Sequence, residues 1–404
     1  MPSAAPSLAA GLRIAQSVAD VARAEWDACA NPGWPSDRPL ESAGTDARLP
    51  YNPFVSHDFL RCVEESGSAT ARTGWAPRHL LLDGPGGLAG VLPLYLKSHS
   101  MGEYVFDWGW AEAFERGGRR YYPKLQASVP FTPATGRRLL ALPGADAEAS
   151  RRRLAVAATE LTQQLGASSV HVTFMPQDEW DLCAGLGYLR RTDQQFHFLA
   201  EGYRDFDDFL AALASRKRKT LRRERAEALA GGITVEHLTG RDITEAAWDA
   251  FFAFYMDTGS RKWGRPYLNR RFFSMLGERM ADRVLLVMAR RAGKPIAGAL
   301  NLIGSDALYG RYWGATEHHP FLHFEVCYYQ AIDWALAHGL KRVEAGAQGE
   351  HKVARGYVPT PTYSAHWIAD PRFRKAIADY LAHERAQTDA AIEELAEHTP
   401  FRKG

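Results

Sequence analysis

The sequence predicts an α+β fold in which one structural unit occurs twice, and two repeated patterns support this prediction. Residues 80–109 and 285–314 both lead from an apolar strand through an Ala-Gly pair to an aromatic stretch that ends in Trp-Gly. Gly187 and Gly356 are each followed at once by a tyrosine and, ten residues after the glycine, by a histidine. The patterns keep the same order, and their spacing exceeds the roughly 20 to 50 residues of solenoid repeats. A duplicated domain is therefore expected.

The first half of the chain combines the apolar alternation of strands with the periodicity of helices. Ser56 is a candidate N-cap, and Gly166 and Gly187 mark the ends of helices. The predicted elements in order are a strand at 12–21, a helix at 21–30, a loop at 31–52, a helix at 59–65, strands at 79–82, 87–97 and 104–110, a helix at 147–165, a strand at 168–174, a helix at 179–186 and a strand at 194–199.

The second half repeats much of this order and adds a helix at its end. A Gly-Gly pair at 231–232 ends the long helical stretch that begins it. The predicted elements are a helix at 206–230, a strand at 233–238, a helix at 243–258, strands at 283–290, 295–303 and 307–315, a helix at 323–338, a strand at 342–347, a helical turn at 351–355, a strand at 362–369 and an amphipathic helix at 373–397. We therefore expect a first unit at 1–200, a second at 201–370, and a C-terminal helix at 371–404 that packs back on them.

The composition excludes several classes of protein. The 404 residues suit two or three domains, and a 46% apolar fraction is enough for their cores. The formal net charge of +2 indicates no general attraction to DNA or membranes. The four cysteines are far apart, and no apolar run reaches the length of a membrane span. Since the N-terminus also lacks the basic stretch of a signal peptide, we expect a cytoplasmic protein with no transmembrane segment.

Several stretches carry a resemblance to a known family. They are Tyr104-Val105-Phe106-Asp107-Trp108, Tyr121-Tyr122-Pro123-Lys124, Gly310-Arg311-Tyr312-Trp313-Gly314, residues 323–330 and residues 346–357. With the order of elements, they resemble the acyl-CoA N-acyltransferase (GNAT) fold in tandem. The block at 346–357 resembles the FemABX peptidyltransferases, which add amino acids to peptidoglycan precursors. The chain is most similar, over about residues 52–369, to a FemAB-like branch described as predicted N-acyltransferases.

The resemblance implies both a fold and an activity. The fold would be α+β, with two GNAT-like units on mixed sheets and an additional C-terminal helix. The activity would be that of an acyltransferase that moves an acyl or aminoacyl group to a primary amine on a small molecule or peptide, such as a peptidoglycan precursor. Acyl-CoA or aminoacyl-tRNA would serve as co-substrate, and no tightly bound cofactor is expected.

Lys352 is the first candidate catalytic residue. In FemABX enzymes a lysine followed by a Gly-aromatic pair occupies a comparable place, and acyl transfer needs a charge to stabilise its tetrahedral oxyanion. The alternative is a solvated surface lysine, which is the usual state of lysine in proteins. Glu350 or His351 would accept a proton from the attacking amine, although Glu350 also suits a capping role at the start of a helical turn.

Asp107 is a second candidate for proton transfer, or for holding an ammonium group, because it ends a predicted strand among aromatic residues. A simple turn-forming aspartate is the alternative. Tyr121, Tyr122 and Lys124 are candidates for acceptor binding, with a packed aromatic loop as the alternative. The further predicted substrate-binding residues are Trp108, Arg311, Trp313, Gln348, Arg355 and Tyr357.

A basic segment at 216–225 is the candidate phosphate-binding site. Seven of its ten residues are Lys or Arg, and a basic helix occurs at the comparable place in FemABX enzymes. It would hold the phosphates of a nucleotide-linked acceptor or of tRNA, although runs of charge are usually solvated. The predicted phosphate ligands are Arg216, Arg218, Lys219 and Arg222.

Some expected motifs are missing. The glycine-containing pyrophosphate loop of GNAT enzymes has no counterpart at 316–322, which leaves the donor open between acyl-CoA and aminoacyl-tRNA. His318, His319 and His323 lack a further ligand and are interrupted by Pro320, so no metal site is expected. The main alternative function is a non-catalytic protein of the same fold that recognises a cell-wall precursor. A nucleic-acid-binding module that depends on the basic helix is the weaker alternative.

Overall fold

The computed structural model describes residues 10–34, 49–262, 266–347 and 349–402, apart from the side chains of residues 260–262 and of Glu350. Strands and helices both occur along the chain, so the predicted α+β class is confirmed. Among the described residues, no helix is long and apolar enough to cross a membrane.

Contacts within the chain divide it into two compact units. The first unit comprises residues 1–193 and 362–389, and the second comprises residues 194–361 and 390–404. These divisions differ from the boundaries expected at 200 and 370, because the last strand and most of the C-terminal helix belong to the first unit. The chain thus changes unit three times, twice inside a strand and once inside the C-terminal helix.

The elements of the first half follow the predicted order in most places. In chain order they are β1 Leu12–Ala15, α1 Arg23–Ala30, α2 His57–Glu65, β2 Trp75–Pro77, β3 His79–Gly84, β4 Gly87–Leu92, β5 Tyr95–Lys97, α3 Trp108–Arg116, β6 Lys124–Ala127, β7 Leu140–Ala141, α4 Ala147–Gln164, β8 Ser169–Met175, α5 Gln177–Ala184 and β9 Leu189–Leu199.

In the second half, helices precede and follow a series of antiparallel strands along the chain. Its elements are α6 Phe206–Ala212, α7 Ser215–Ala228, β10 Ile233–Leu238, α8 Glu245–Lys262, α9 Arg270–Met280, β11 Val284–Arg291, β12 Lys294–Ile303, β13 Ala307–Ala315, α10 Leu322–Phe324, α11 Gln330–Ala337, β14 Arg342–Glu344, β15 Val358–Ile368 and α12 Pro371–Glu397. A π-helical turn, Glu325–Tyr329, joins α10 to α11, and a 3₁₀ turn, Glu350–Arg355, precedes β15.

The predicted duplication appears in the pairing of the strands, but only one of the two repeated patterns falls on equivalent strands. Residues 187–197 and 356–366 lead into β9 and β15, whereas residues 80–92, expected to match β11 and β12, form β3 and β4 of a separate sheet. In the first unit, β2, β5, β6, β8 and β15 are neighbours in that order, and in the second the order is β11, β12, β13, β14 and β9. In both series the pairs are antiparallel except for the third, which is parallel: β6 with β8 and β13 with β14. The first unit also has a small sheet in the order β1, β3, β4, β7.

Several predicted elements were wrong. The strand predicted at 12–21 ends at Ala15, and the strand predicted at 87–97 is two strands, β4 and β5. The strand predicted at 104–110 is instead a turn followed by the start of α3, because Tyr104 adopts a left-handed backbone (φ 61°) and Asp107 stands at the N-cap of that helix. The strand that corresponds to β13 is therefore β6. The helix predicted at 206–230 is two helices, because Leu213 between α6 and α7 is extended (φ −80°, ψ 153°). Helix α9 was not predicted.

Each unit has a hydrophobic core of its own. In the first, α4 covers the strands through buried residues such as Leu154, Ala158 and Leu161. In the second, the π-helical turn and α11 contribute Val326 and Ile332 to a core that also contains residues of β9, α6 and α7. Because both faces of these strands are covered, the polar residues that remain buried on them call for a functional or electrostatic explanation.

A substitution at Gly314 tests how closely α8 packs on β13. A Cβ atom at this position would lie 2.1 Å from the backbone oxygen of Phe254 in α8, so Gly314→Ala must push the helix from the strand. We expect a loss of at least about 1–3 kcal/mol of unfolding free energy, measured by denaturant unfolding.

Gly109 in α3 is the matched control, because a Cβ atom there meets nothing within 4 Å. Gly109→Ala should raise the stability slightly, by up to about 1 kcal/mol, through the higher helix propensity of alanine. Equal unfolding midpoints for both variants would contradict the packing described for α8.

Candidate functional site

In the second unit, the parallel strands β13 and β14 pair at one end and separate toward the other. Strand β13 has nine residues, but it pairs with β14 only through Ala307, Leu308 and Tyr309. Beyond β14 the chain stays with β9: the Phe196 amide donates to the Gly346 oxygen at 3.1 Å, and the Ala345 amide donates to the Phe196 oxygen at 3.1 Å. The carboxyl half of β13 therefore diverges from its neighbour, and the carboxyl ends of diverging strands are where open sheets place ligands.

Lys352 lies on the 3₁₀ turn that follows this divergence. Its residue is only 4% exposed, and its Nζ donates to the Gly346 oxygen at 3.3 Å and lies 5.5 Å from the ring centre of Phe196. Burial is the main reason why the pKa of this ammonium is lowered to about 8; Cys327 opposes the shift, and the charge of Arg311 adds a smaller lowering. The surface-lysine alternative is excluded by this burial.

Arg311, His197 and Arg342 form a charge cluster around the buried carboxylate of Glu344 beside the divergence. The Arg311 guanidinium lies 3.8 Å from Glu344 Oε2, and His197 Nε2 lies 4.0 Å from the same oxygen. Arg342 Nε donates to Glu344 Oε1 at 3.1 Å, and Glu344 itself is fully buried. Burial lowers the pKa of His197 despite the neighbouring carboxylate. Arg311, predicted to bind substrate, thus directs its charge at Glu344.

The other predicted residues of the 3₁₀ turn have different environments. His351 is exposed, and its Nε2 lies 3.1 Å from the hydroxyl of Tyr328. Arg355 is buried and bonded on two sides, and Tyr357 is fully buried with its hydroxyl 3.4 Å from the Tyr328 oxygen. Gln348 lies outside the described residues, as does the side chain of Glu350.

An aromatic group stands near the start of α10. Trp313 on β13 packs against His323 with ring centres 4.9 Å apart, and His323 in turn lies 5.3 Å from the ring of Tyr328. The π-helical turn that follows α10 carries Tyr328 and Cys327. π-Helical turns of this kind recur at functional sites because they re-aim side chains within a helix.

Helix α7 carries the basic segment. Arg216, Lys219 and Arg222 are exposed, and Arg218 is partly so. The Arg222 guanidinium lies 3.3 Å from the carboxylate of Asp207. No ion pair with any residue that the structure describes was found for Arg216, Arg218 or Lys219. The predicted phosphate ligands therefore present a positively charged face to the solvent.

Lys124 is the centre of a buried ionic cluster in the first unit. Its Nζ contacts Asp107 Oδ2, Glu103 Oε2 at 2.6 Å and Ser100 Oγ at 2.9 Å. The Tyr121 hydroxyl donates to Asp107 Oδ2 at 2.6 Å and lies 3.2 Å from His171 Nε2. Three predicted residues, Asp107, Tyr121 and Lys124, are thus brought together, although the strand expected to carry Asp107 does not exist.

The pKa values show how this cluster is balanced. Burial would raise the pKa of Asp107, but the charge and hydrogen bonds of Lys124 hold it well below its ordinary value. The pKa of Lys124 is raised because Glu103 and Asp107 more than offset its desolvation. Lys97, which lies over the ring of Trp75, has its pKa lowered to about 7 by burial. Asp107 is therefore a stable counter-ion and a weak base.

The aromatic neighbours of Asp107 point away from it. Asp107 is 3% exposed, whereas Phe106 is 54% and Trp108 is 47% exposed. Trp108, predicted to contact substrate, is consequently on the surface of the first unit and does not enclose the carboxylate. Tyr122 lies between surface and cluster, since its hydroxyl is 2.8 Å from Ser100 Oγ and its ring lines a surface cavity of about 350 Å³ together with Arg119 and Arg120.

Sequence reasoning missed several charged residues of both clusters. Glu103 and Lys97 in the first unit, and Glu344 in the second, carry no local motif. His197 stood out only as a repeated position, and its partner becomes visible only from the register that sets Glu344 opposite it. No group of three or more potential metal-binding side chains was found among the described residues.

Comparisons with known proteins extend these observations. The profile of the FemAB-like family, described as peptidoglycan biosynthesis/recognition, matches residues 17–403. No curated protein matches the sequence significantly. A crystal structure of FemX is similar with 13% identity and a TM-score of 0.53, covering 89% of this chain and 98% of that one.

A second solved structure gives a similar match. A conserved protein of unknown function from Bacteroides thetaiotaomicron has 12% identity and a TM-score of 0.50, covering 88% of this chain and 98% of its own. At these identities the likeness concerns the fold alone. It agrees with the predicted α+β arrangement of two GNAT-like units, which is confirmed.

The ionic cluster of the first unit should be sensitive to the loss of its lysine. Lys124→Met leaves the buried carboxylates of Glu103 and Asp107 without their shared cation, and we expect a loss of about 3–5 kcal/mol in unfolding free energy. The double variant Lys124→Met/Asp107→Asn should recover part of this loss, because it removes the charge of Asp107, while Glu103 keeps Lys97 at 3.6 Å. Denaturant unfolding measures both, and a double variant less stable than the single one would contradict this account.

Proposed function

Since the chain belongs to the FemAB-like family of peptidoglycan biosynthesis and recognition, we propose that it is an N-acyltransferase acting on a primary amine. It moves an acyl or aminoacyl group from an activated donor, and an amine of a peptidoglycan precursor is the acceptor that the family suggests. The observation that carries the proposal is Lys352, a buried ammonium beside the point where β13 and β14 diverge. The match to the family and the two repeated strand series support it.

The chemistry assigned to Lys352 is electrostatic. The acceptor amine attacks the acyl carbonyl, a tetrahedral oxyanion forms, and its collapse expels the donor's leaving group. An ammonium in a site of low dielectric stabilises the oxyanion without reorganisation of solvent, which is often the largest catalytic contribution. The Lys352 Nζ donates to the Gly346 oxygen, and burial lowers the pKa of the ammonium to about 8, whereas the carboxylates beside Lys124 raise the pKa of that lysine.

The proton released by the attacking amine needs an acceptor. Asp107 suits this role poorly, because Lys124 keeps its pKa well below the ordinary value. We assign the proton to His351, which is exposed and lies on the same turn as Lys352, or to Glu350 of that turn. A base on this turn works most efficiently when its pKa is close to the working pH.

Binding of the two substrates is divided in this proposal. The exposed basic face of α7 holds phosphate groups of the donor, whether acyl-CoA or aminoacyl-tRNA, through Arg216, Arg218, Lys219 and Arg222. The acceptor binds to the first unit near Tyr122, where Arg119 and Arg120 line the surface cavity and suit its carboxylate or phosphate groups.

Replacement of Lys352 tests the catalytic assignment. Lys352→Met should lower kcat about 100- to 1,000-fold with little change in donor affinity, as expected for the loss of an oxyanion donor. Lys341→Met, at an exposed lysine of the same unit, is the control and should leave kcat unchanged. A Lys352→Met enzyme with full turnover would contradict the catalytic role of Lys352, whereas a wild-type protein that binds substrates without any turnover would favour the non-catalytic recognition protein.

The pH dependence gives a separate prediction for the same residue. Because the active form is the ammonium and its pKa is about 8, kcat should fall as the pH rises through 8. Lys352→Arg keeps its charge throughout this range, since arginine stays protonated, so a residual activity should lack the alkaline decline. Persistence of the decline in Lys352→Arg would assign it to another group.

The donor class is tested by direct titration. Binding of a coenzyme A thioester and of an aminoacylated tRNA is measured at several salt concentrations. For tRNA, the triple variant Arg216→Gln/Lys219→Gln/Arg222→Gln should lower the salt slope of log affinity by roughly two to three, about 0.7–0.9 for each phosphate contact. Arg372→Gln/Lys375→Gln, which removes exposed charges of α12, is the control. Saturable thioester binding without tRNA affinity would instead identify an acyl-CoA enzyme.

A further inference from the structure

Helix α7 has an inward face that differs from its basic outward face. Leu221, Glu224 and Ala228 are buried on it. The Glu224 carboxylate has two partners, since Arg355 Nη2 donates to its Oε1 at 2.8 Å and the Tyr329 hydroxyl donates to its Oε2. Tyr329 belongs to the π-helical turn, so one carboxylate joins α7, that turn and the turn that carries Lys352.

Arg355 connects this carboxylate to the Lys352 turn. Its Nη1 donates to the backbone oxygen of His351 at 2.7 Å, and its guanidinium lies 3.4 Å from the ring centre of Phe324. The residue is 7% exposed, and both of its Nη atoms have partners within the protein. A residue in this environment holds the chain and is poorly placed to bind a substrate, which was its predicted role.

The turn itself is weakly constrained by its own backbone. It has six residues and lies between two glycines in left-handed conformations, Gly349 (φ 100°) and Gly356 (φ 88°). Short 3₁₀ turns have poor hydrogen-bond geometry and depend on tertiary contacts for a single position. The direction of the Lys352 side chain is therefore determined by whatever anchors the turn from outside.

We propose that Glu224 and Arg355 are positioning residues that fix the Lys352 turn through their buried ion pair. The proposal rests on the catalytic role given to Lys352 and moves Arg355 from substrate binding to positioning. It also explains why the basic helix contains a buried acid. The outward face of α7 serves the donor, while its inward face holds the residue that stabilises the oxyanion.

The kinetic test uses the isosteric variant Glu224→Gln. We expect kcat to fall at least tenfold while the donor KM stays within twofold, because the lysine is displaced and the donor face is untouched. The alkaline decline of kcat should also move above pH 8, since a displaced Lys352 gains solvent and its pKa moves back toward the ordinary value for lysine. Glu227→Gln, an exposed acid one turn along α7, should change none of these quantities.

A double-mutant cycle separates this role from a general loss of stability. Arg355→Gln should lower kcat as much as Glu224→Gln, and the double variant should be no worse than either, because both remove the same ion pair. Arg355→Lys, which keeps the cation, should recover part of the activity and replaces Glu224→Gln if that variant fails to fold. Additive losses in kcat would overturn the proposal.

A readout without turnover distinguishes failure of this proposal from failure of the proposed function. Competitive acylation of lysines by acetic anhydride, followed across pH, reports the pKa of Lys352 directly. The Glu224→Gln variant should show a higher pKa for Lys352 than the wild type, whether or not transfer occurs. An unchanged Lys352 titration would overturn the positioning role, and a shifted titration in a protein without transferase activity would overturn only the catalytic one.

Discussion

The geometry of the site in the second unit depends on which strand the chain pairs with after β14. The amide of Ala345 and the oxygen of Gly346 bond to Phe196 on β9, so the chain leaves β13 after three residue pairs. If it had continued beside β13, the backbone groups of that strand would be satisfied along its whole length and no opening would exist. The hydrogen bonds with β9 therefore place the Lys352 turn and free the carboxyl half of β13, where Arg311 and Trp313 lie.

The two units hold a buried lysine in opposite ways. Lys124 has two carboxylates and a hydroxyl, which more than offset desolvation, so its pKa is raised. Burial lowers the pKa of Lys352 to about 8, although its Nζ donates to a carbonyl oxygen and lies near the ring of Phe196. A buried ammonium in a site of low dielectric can stabilise an oxyanion, whereas the charge of Lys124 is already neutralised by its carboxylates. In the function proposed above, the chemistry would therefore belong to Lys352 in the second unit, and the cluster of the first unit would be a structural anchor.

The sequence allowed the class of fold, the duplication and most helices to be predicted, because these depend on local periodicity and glycine punctuation. It misplaced the strand at 104–110, since the aromatic pattern there is that of a turn whose Phe106 and Trp108 point outward and whose Asp107 points inward. It also identified Arg311 and Arg355 without the acids that they contact. Glu344 and Glu224 are distant in sequence from the residues they contact, so only strand register and helix packing reveal them.

A comparison of equivalent cross-strand pairs shows how the two units differ chemically. Strand pairing sets Glu344 opposite His197 in the second unit and His171 opposite His366 in the first. In the first unit the two rings meet through their Nδ1 atoms at 2.7 Å, and because burial lowers the pKa of both, one neutral ring donates and the other accepts. The second unit has a carboxylate at the position of His171, and this charge draws in Arg311 and Arg342. The equivalent cross-strand positions thus hold a neutral histidine pair in the first unit and a charged cluster in the second.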